Sequence, residues 1–264
     1  MSNRSLPIAV FDSGLGGISV LKELRAVLPN ENFIYYGDTA NAPYGVKSAE
    51  QVRELTSFVY ERLKKEGIKA FVIACNTATS VAAAYLREAH PDDIIIGVEP
   101  ALKPAVLCAE HPTVAVLATP LTLKEEKFSN LLARFGTNAR VIPFPCPGLV
   151  EFVERGEISG ERFDGFLSEL LAPLTNEKLD AVVLGCTHYP LVKDAISSIL
   201  GKDVRVFDGS LGTAKETRRR LEVASLLADE NQKGSIVFMD SSYPNIKDPK
   251  GSMLKIFGGE YLCN

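Results

Sequence analysis

Apolar residues in this 264-residue chain gather in short runs, separated by longer stretches with helical period. The runs fall at 7–11, 32–36, 70–74, 94–97, 113–117, 139–142, 181–184, 204–207 and 235–239, and they are rich in Val, Ile and Phe. They alternate only weakly, as strands buried on both faces do. Between them, 17–28, 49–66, 77–89, 121–135, 160–174, 191–200 and 212–227 read as helices. This rhythm predicts an α/β fold of mostly parallel sheets flanked by helices.

One unit is echoed within the chain. Ala70-Phe71-Val72-Ile73-Ala74-Cys75-Asn76-Thr77 resembles Ala181-Val182-Val183-Leu184-Gly185-Cys186-Thr187-His188: strand, small residue, Cys, polar residues. A chance match of two short α/β units is one reading. Two related halves, each bringing its strand ends to a shared cleft, is the other. The second places one domain at 1–97 plus 208–264 and the other at 98–207, with crossings near Gly97-Val98-Glu99-Pro100 and Asp208-Gly209.

Composition narrows the class. The length suits one large or two smaller domains, and 46% hydrophobic residues support a packed core. The net charge of −4 and the absence of a basic patch argue against nucleic acid. Arg218-Arg219-Arg220 sits in a helical pattern and reads as a solvated face. The N-terminus has no signal-peptide pattern and no stretch has membrane-span length, so a cytoplasmic protein without membrane contact is expected. Five scattered cysteines suit free thiols rather than a disulfide framework.

In an open α/β sheet, ligands bind beyond the carboxyl ends of the strands. Those ends carry Asp12-Ser13 before a glycine-rich turn, Gly37-Asp38 before Ala42-Pro43-Tyr44-Gly45, Cys75-Asn76-Thr77, and Cys186-Thr187-His188. Asp12 would repel a phosphate at the first turn, which speaks against a nucleotide; alternatively Asp12 and Ser13 only cap the helix. Tyr44 and a backbone N–H near it could line a cleft, or the segment is a plain loop. A Cys at the start of a helix is favoured as thiolate by the helix N-terminus. Single buried cysteines commonly act as small hydrophobes, but two at matching strand ends point to chemistry. Cys108 reads as a helix core residue, Cys146 as a loop residue and Cys263 as a tail residue; His90 and His111 read as surface loop residues. Zinc-ligand spacings such as C-x₂₋₄-C or H-x₃₋₅-H do not occur, so no metal site is expected.

Together, Phe11-Asp12-Ser13-Gly14-Leu15-Gly16-Gly17, Asn41-Ala42-Pro43-Tyr44-Gly45, Ala74-Cys75-Asn76-Thr77-Ala78 and Gly185-Cys186-Thr187-His188-Tyr189-Pro190 resemble the bacterial glutamate racemase family, in order, from about Ile8 to Ala214. The resemblance implies two pseudosymmetric domains with glutamate bound between them, and D-glutamate supplied for peptidoglycan synthesis. It implies Cys75 and Cys186 as the catalytic thiols, with Asp12 and His188 as their proton partners. It implies a substrate site of Asp12, Ser13, Pro43, Tyr44, Gly45, Asn76, Thr77, Thr119, Thr122, Thr187 and His188, with Glu154 an acidic residue near the cleft. The family usually carries two Gly-Thr pairs where this chain has Ala118-Thr119-Pro120-Leu121-Thr122. Both threonines remain, while Ala118 and Leu121 replace glycines, which leaves glutamate against aspartate open. A homodimer is a further expectation.

Inverting Cα requires removing its proton from one face and adding one on the other. Two opposed thiols can do this with modest tuning of an ordinary pKa of ~8.5. No lysine with a phosphate cup suggests pyridoxal phosphate, so no cofactor is expected, and donors such as Ser13, Asn76, Thr77 and Thr187 would stabilise the carbanion. Three alternatives stand: a racemase of aspartate or another small acid, a Cys hydrolase or amidotransferase using Cys186 with His188 and leaving Cys75 idle, and a non-catalytic amino-acid binding module.

Overall fold

The computed structural model describes residues 3–136 and 138–244; Cys263 lies outside them. The strands are β1 (Ile8–Asp12), β2 (Phe33–Gly37), β3 (Ala70–Ile73), β4 (Ile95–Gly97), β5 (Thr113–Ala118), β6 (Arg140–Pro145), β7 (Ala181–Leu184), β8 (Arg205–Asp208) and β9 (Ile236–Asp240). They build two sheets, ordered β4-β3-β1-β2-β9 and β6-β5-β7-β8. Every pairing is parallel, so each sheet presents all its carboxyl ends along one edge. The helices are α1 (Ile18–Val27), α2 (Ala49–Lys65), α3 (Asn76–Ala89), α4 (Leu102–Val106), α5 (Pro120–Lys124), α6 (Glu126–Phe135), α7 (Leu149–Glu154), α8 (Glu161–Thr175), α9 (Lys193–Leu200) and α10 (Ser210–Val223).

The weak alternation of the strands has a direct cause. In β1, Ala9 and Phe11 pack into one apolar cluster while Ile8 and Val10 pack into another on the opposite face. In β7, Val182 and Leu184 face one cluster, Ala181 and Val183 the other. Both faces are covered by helices, so no position of these central strands meets water. Phe11, at the end of β1, stacks on Phe71 with ring centroids 5.9 Å apart and leans on Tyr44 at 6.1 Å. Burying each such ring contributes ~1.5–3 kcal/mol, and it does so directly beneath the polar turns.

Four expectations need correction. The stretch 121–135 is two helices, not one: Glu125 adopts an extended conformation (φ −72°, ψ 144°) between α5 and α6. Thr119 caps α5 by accepting Thr122 N–H, with Pro120 favouring the first turn. The expected helix 212–227 ends at Val223, because Ser225 turns to φ +56°. Cys108 lies beyond α4 and is only half-buried, so it is no helix core residue. His90, the C-cap of α3, is half-buried rather than a surface loop residue, its ring tilted against Tyr60 with centroids 4.6 Å apart; His111 is exposed.

Candidate active site

The carboxyl edges of the two sheets meet, and the polar turns of one interlock with those of the other. From the first sheet comes the turn after β1. Asp12 is fully buried; its Oδ2 accepts Gly14 N–H at 3.0 Å and its Oδ1 accepts the Thr187 hydroxyl, from the second sheet's edge, at 3.0 Å. Leu15 N–H donates to Glu154 Oε1 at 2.8 Å, and the same oxygen meets His188 Nε2. The glycines of this turn are there for closeness. A methyl group at Gly16 would lie 2.5 Å from His188 Nδ1 and 2.7 Å from the His188 backbone nitrogen, nearer than any side chain tolerates.

Both thiols sit at this junction and are nearly inaccessible, Cys75 at 5% and Cys186 at 6% exposure. Cys75 is itself the N-cap of α3, and its Sγ accepts Ala78 N–H at 3.4 Å. It lies 3.7 Å from Ser13 Oγ. Cys186 Sγ lies 3.7 Å from His188 Nδ1. Each thiol thus has its own polar partner, supplied by its own half.

The electrostatics are set by burial. Burial first, and the Asp12 carboxyl second, push the Cys75 thiol up to about 12. The Ala78 N–H and Ser13 hydroxyl pull the other way but are outweighed. Burial therefore outweighs the helix N-terminus at Cys75, contrary to the sequence expectation of a ready thiolate. Burial also raises Asp12, against the pull of His188 and the Gly14 N–H. For His188, burial alone would lower the pKa; Glu154 and Cys186 more than reverse it, and the ring's pKa lies well above its ordinary value. Burial would raise Glu154, but His188 holds it below the usual carboxylate range.

A triangle of hydroxyls lies between the starts of α3 and α5. Thr77 Oγ1 is 3.0 Å from Thr119 Oγ1 and 3.1 Å from Thr122 Oγ1, and the last two are 2.9 Å apart. Thr77 starts α3 and the other two frame α5, so this contact also joins the two sheets' edges. Asn76 beside it is buried, with its Oδ1 unpartnered. Leu121, where the family pattern has glycine, packs against the first sheet's core. The Tyr44 hydroxyl does not point into open space: it donates to Asp38 Oδ2 at 2.6 Å, and the ring is buried. Gly45 lies against Thr119. Pro43, Leu15 and Glu154 line a cavity of ≈ 370 Å³ that Asp240 and Tyr243 border. Asn76 and Thr122 line another of ≈ 150 Å³. Neither sulfur lines either of these two cavities.

A scan against family models matches residues 18–217 to Asp/Glu/hydantoin racemase. The chain belongs to this family. A glutamate racemase of Clostridium perfringens is 50% identical over 238 residues, covering 90% of this chain and 92% of that one. Among solved structures, a Bacillus anthracis glutamate racemase superposes with a TM-score of 0.85 at 31% identity, covering 99% of this chain and 95% of that one. A Francisella tularensis glutamate racemase in complex with D-glutamate gives 0.81 at 31% identity, covering 98% and 94%. The two-sheet α/β architecture of this racemase-family chain is thus that of the solved glutamate racemases.

Within this racemase fold, the residues singled out from sequence converge on one junction: Asp12, Ser13, Cys75, Asn76, Thr77, Thr119, Thr122, Glu154, Cys186, Thr187 and His188. Cys146, read as a loop residue, is buried just after β6 in the same apolar cluster as Cys186. Three contributors carried no role in the sequence reading. Asp38 fixes Tyr44, and its strand-end position was the available signal. Tyr35 donates to Gly14 O at 2.7 Å from within the sheet, and Ser19 reaches across from α1; both were hidden in apolar periodicity. Among the described residues no group of three or more His, Cys, Asp or Glu is placed to hold a metal, and no helix is long and apolar enough to cross a membrane.

Proposed function

We propose that this racemase interconverts L- and D-glutamate without a cofactor, using Cys75 and Cys186 as opposed acid/base groups, and so supplies D-glutamate for peptidoglycan. The observation that carries this reading is the placement of the two buried thiols. They stand at matching strand ends of two sheets that meet edge to edge, Cys75 3.7 Å from Ser13 Oγ and Cys186 3.7 Å from His188 Nδ1. Asp12, which acts on Cys75 through its charge rather than through a direct hydrogen bond, is the proton partner assigned to Cys75, and His188 is that of Cys186. The relatives named above support glutamate as the substrate.

The chemistry follows from the environment. The two units, 1–97 with 208–264 and 98–207, part to admit the amino acid and close on it. Closure places its α-ammonium near Asp12 and lowers the cost of a thiolate beside it. The thiolate on one face takes the α-proton, and the electron pair left on Cα delocalises into the carboxylate. The thiol on the other face then delivers its proton to Cα. Ser13, Asn76, Thr77 and Thr187 donate to the developing negative charge. The hydroxyls of Thr77, Thr119 and Thr122 satisfy one another, so turning toward a substrate carboxylate exchanges one hydrogen bond for another at little cost. Pro43, Tyr44 and Gly45 form the wall behind it, and Glu154 keeps His188 charged. A cytoplasmic setting fits, because both thiols must stay reduced.

The deciding assay follows racemisation of L-glutamate and L-aspartate by purified protein with no cofactor added, using chiral chromatography. Glutamate should turn over faster than aspartate; the reverse preference would favour the aspartate reading, for which Leu121 in place of glycine is the motivating feature. Cys75→Ala and Cys186→Ala should each reduce turnover by at least ~10²-fold, the lower scale of general acid/base contributions. Near-normal racemisation in either variant would remove the two-thiol mechanism.

A further inference from the structure

We infer that Ser19 is a positioning residue for the second thiol, acting from the opposite half; this rests on the two-thiol reading above. Ser19 lies in the first turn of α1 and is buried. Its hydroxyl donates a shared hydrogen bond to Gly16 O at 2.8 Å and to Thr187 O at 3.1 Å. The Thr187 carbonyl and the His188 N–H belong to one peptide unit. Gly16, without a Cβ, lets the nitrogen side of that unit approach, and Ser19 grips its oxygen side. The Thr187 side chain is meanwhile held by Asp12. The Thr187–His188 unit, which carries the imidazole that faces Cys186, is therefore clasped from the first half at its oxygen, its nitrogen and the Thr187 side chain.

The consequence is mechanistic. His188 Nδ1 stands 3.7 Å from Cys186 Sγ; Glu154 holds the far side of the ring through Nε2, and the fixed plane of the preceding peptide sets where the ring starts from. Among the described residues no equivalent clasp from the second half reaches the Cys75 backbone through a side chain; Cys75 is ordered by its own helix cap and Ser13. Closing the halves and aligning His188 with Cys186 are thus one event, and Ser19 couples them. Ser19 touches neither thiol, so its effect passes through the backbone of residues 187–188.

The test compares Ser19→Ala with Ser19→Thr, which keeps the hydroxyl. Two readouts are taken: kcat and KM with each enantiomer, and iodoacetamide labelling of Cys186 and Cys75, quantified by peptide mass at one pH. In the alanine variant kcat should fall about tenfold, the scale of one buried hydrogen bond, with KM changing less. The ratio of Cys186 to Cys75 labelling should fall about threefold or more, as His188 loses alignment. The threonine variant should recover both. If the alanine variant does not fold, Ser19→Cys, which keeps the volume and weakens the donor, should show the same selective change. Equal loss in the alanine and threonine variants, or labelling of both thiols altered alike, would overturn the inference. The labelling ratio needs no turnover, so it stands even if the wild-type chain proves inactive on glutamate, which would instead defeat the functional reading.

Discussion

Asp12→Asn separates the charge of this residue from its hydrogen bonds. The amide keeps the carboxylate's shape: its oxygen can accept Gly14 N–H, and its NH₂ can donate to Thr187 Oγ1 once that hydroxyl turns around. The lost charge-assisted bonds cost ~1.5–3 kcal/mol, offset in part because a fully buried charge no longer has to be desolvated. The fold should survive. Asp12 is the second-largest cause, after burial, of a Cys75 pKa of about 12. A neighbouring like charge shifts a pKa by ~1–3 units, so its removal should lower Cys75 by at least ~1 unit, toward the ordinary thiol range. At pH 8 the thiolate fraction then rises ~tenfold, and so should the rate of iodoacetamide labelling of Cys75. Racemisation should move the opposite way, falling by ~10²-fold or more, because the group proposed to exchange protons with Cys75 is gone. Mass mapping of the labelled cysteine gives the first quantity and circular dichroism of L- and D-glutamate turnover the second. A thiol that becomes more reactive while the enzyme becomes slower is the expected signature. Unchanged Cys75 labelling would mean that the carboxyl carries no charge at the working pH, and would refute the electrostatic argument.

Further expectations follow from the same geometry. In D₂O, D-glutamate formed early from L-glutamate should carry deuterium at Cα while the remaining L-glutamate stays mostly protonated; substantial unlabelled product, seen by mass spectrometry of the separated enantiomers, would argue against opposed thiols. Gly16→Ala drives a methyl group into the His188 backbone and should cost ~1–3 kcal/mol, lowering Tm by several degrees and reducing turnover further than the stability loss explains; calorimetry with wild-type turnover retained would contradict the tight clasp. Unfolding free energies of wild type and Glu154→Gln should differ by ~2 kcal/mol near pH 6. His188 has its folded pKa raised well above 6.5, so its share of this stabilisation is complete below pH 6.5 and fades as pH climbs through the raised value. Glu154 is held below 4.5, so its share is present above pH 4.5 and is lost as pH falls through the lowered value. A difference that widened at alkaline pH would show that the pair is not the ion pair inferred.

Local sequence determined the elements and the chemistry at their tips. Central parallel strands are apolar throughout because both faces are covered, and this is visible as uninterrupted runs such as Ala181-Val182-Val183-Leu184. Ligand sites form at carboxyl ends, so Asp12, Cys75 and Cys186 could be named from where the runs stop. The helix break at Glu125 was not legible, because α5 and α6 share one apolar face in sequence and only the cap at Thr119 and the turn at Glu125 divide them.

What the tertiary structure alone decided is how the two edges meet. No periodicity links Asp12 to Thr187, Leu15 to Glu154, or Ser19 to the Thr187 carbonyl; these contacts span 139 to 175 residues of chain. The state of the thiols is likewise tertiary. A helix N-terminus can be read from the sequence, and it lowers a thiol pKa, but desolvation depends on how completely the second half covers the first. Here the covering wins, and burial raises the Cys75 thiol to about 12.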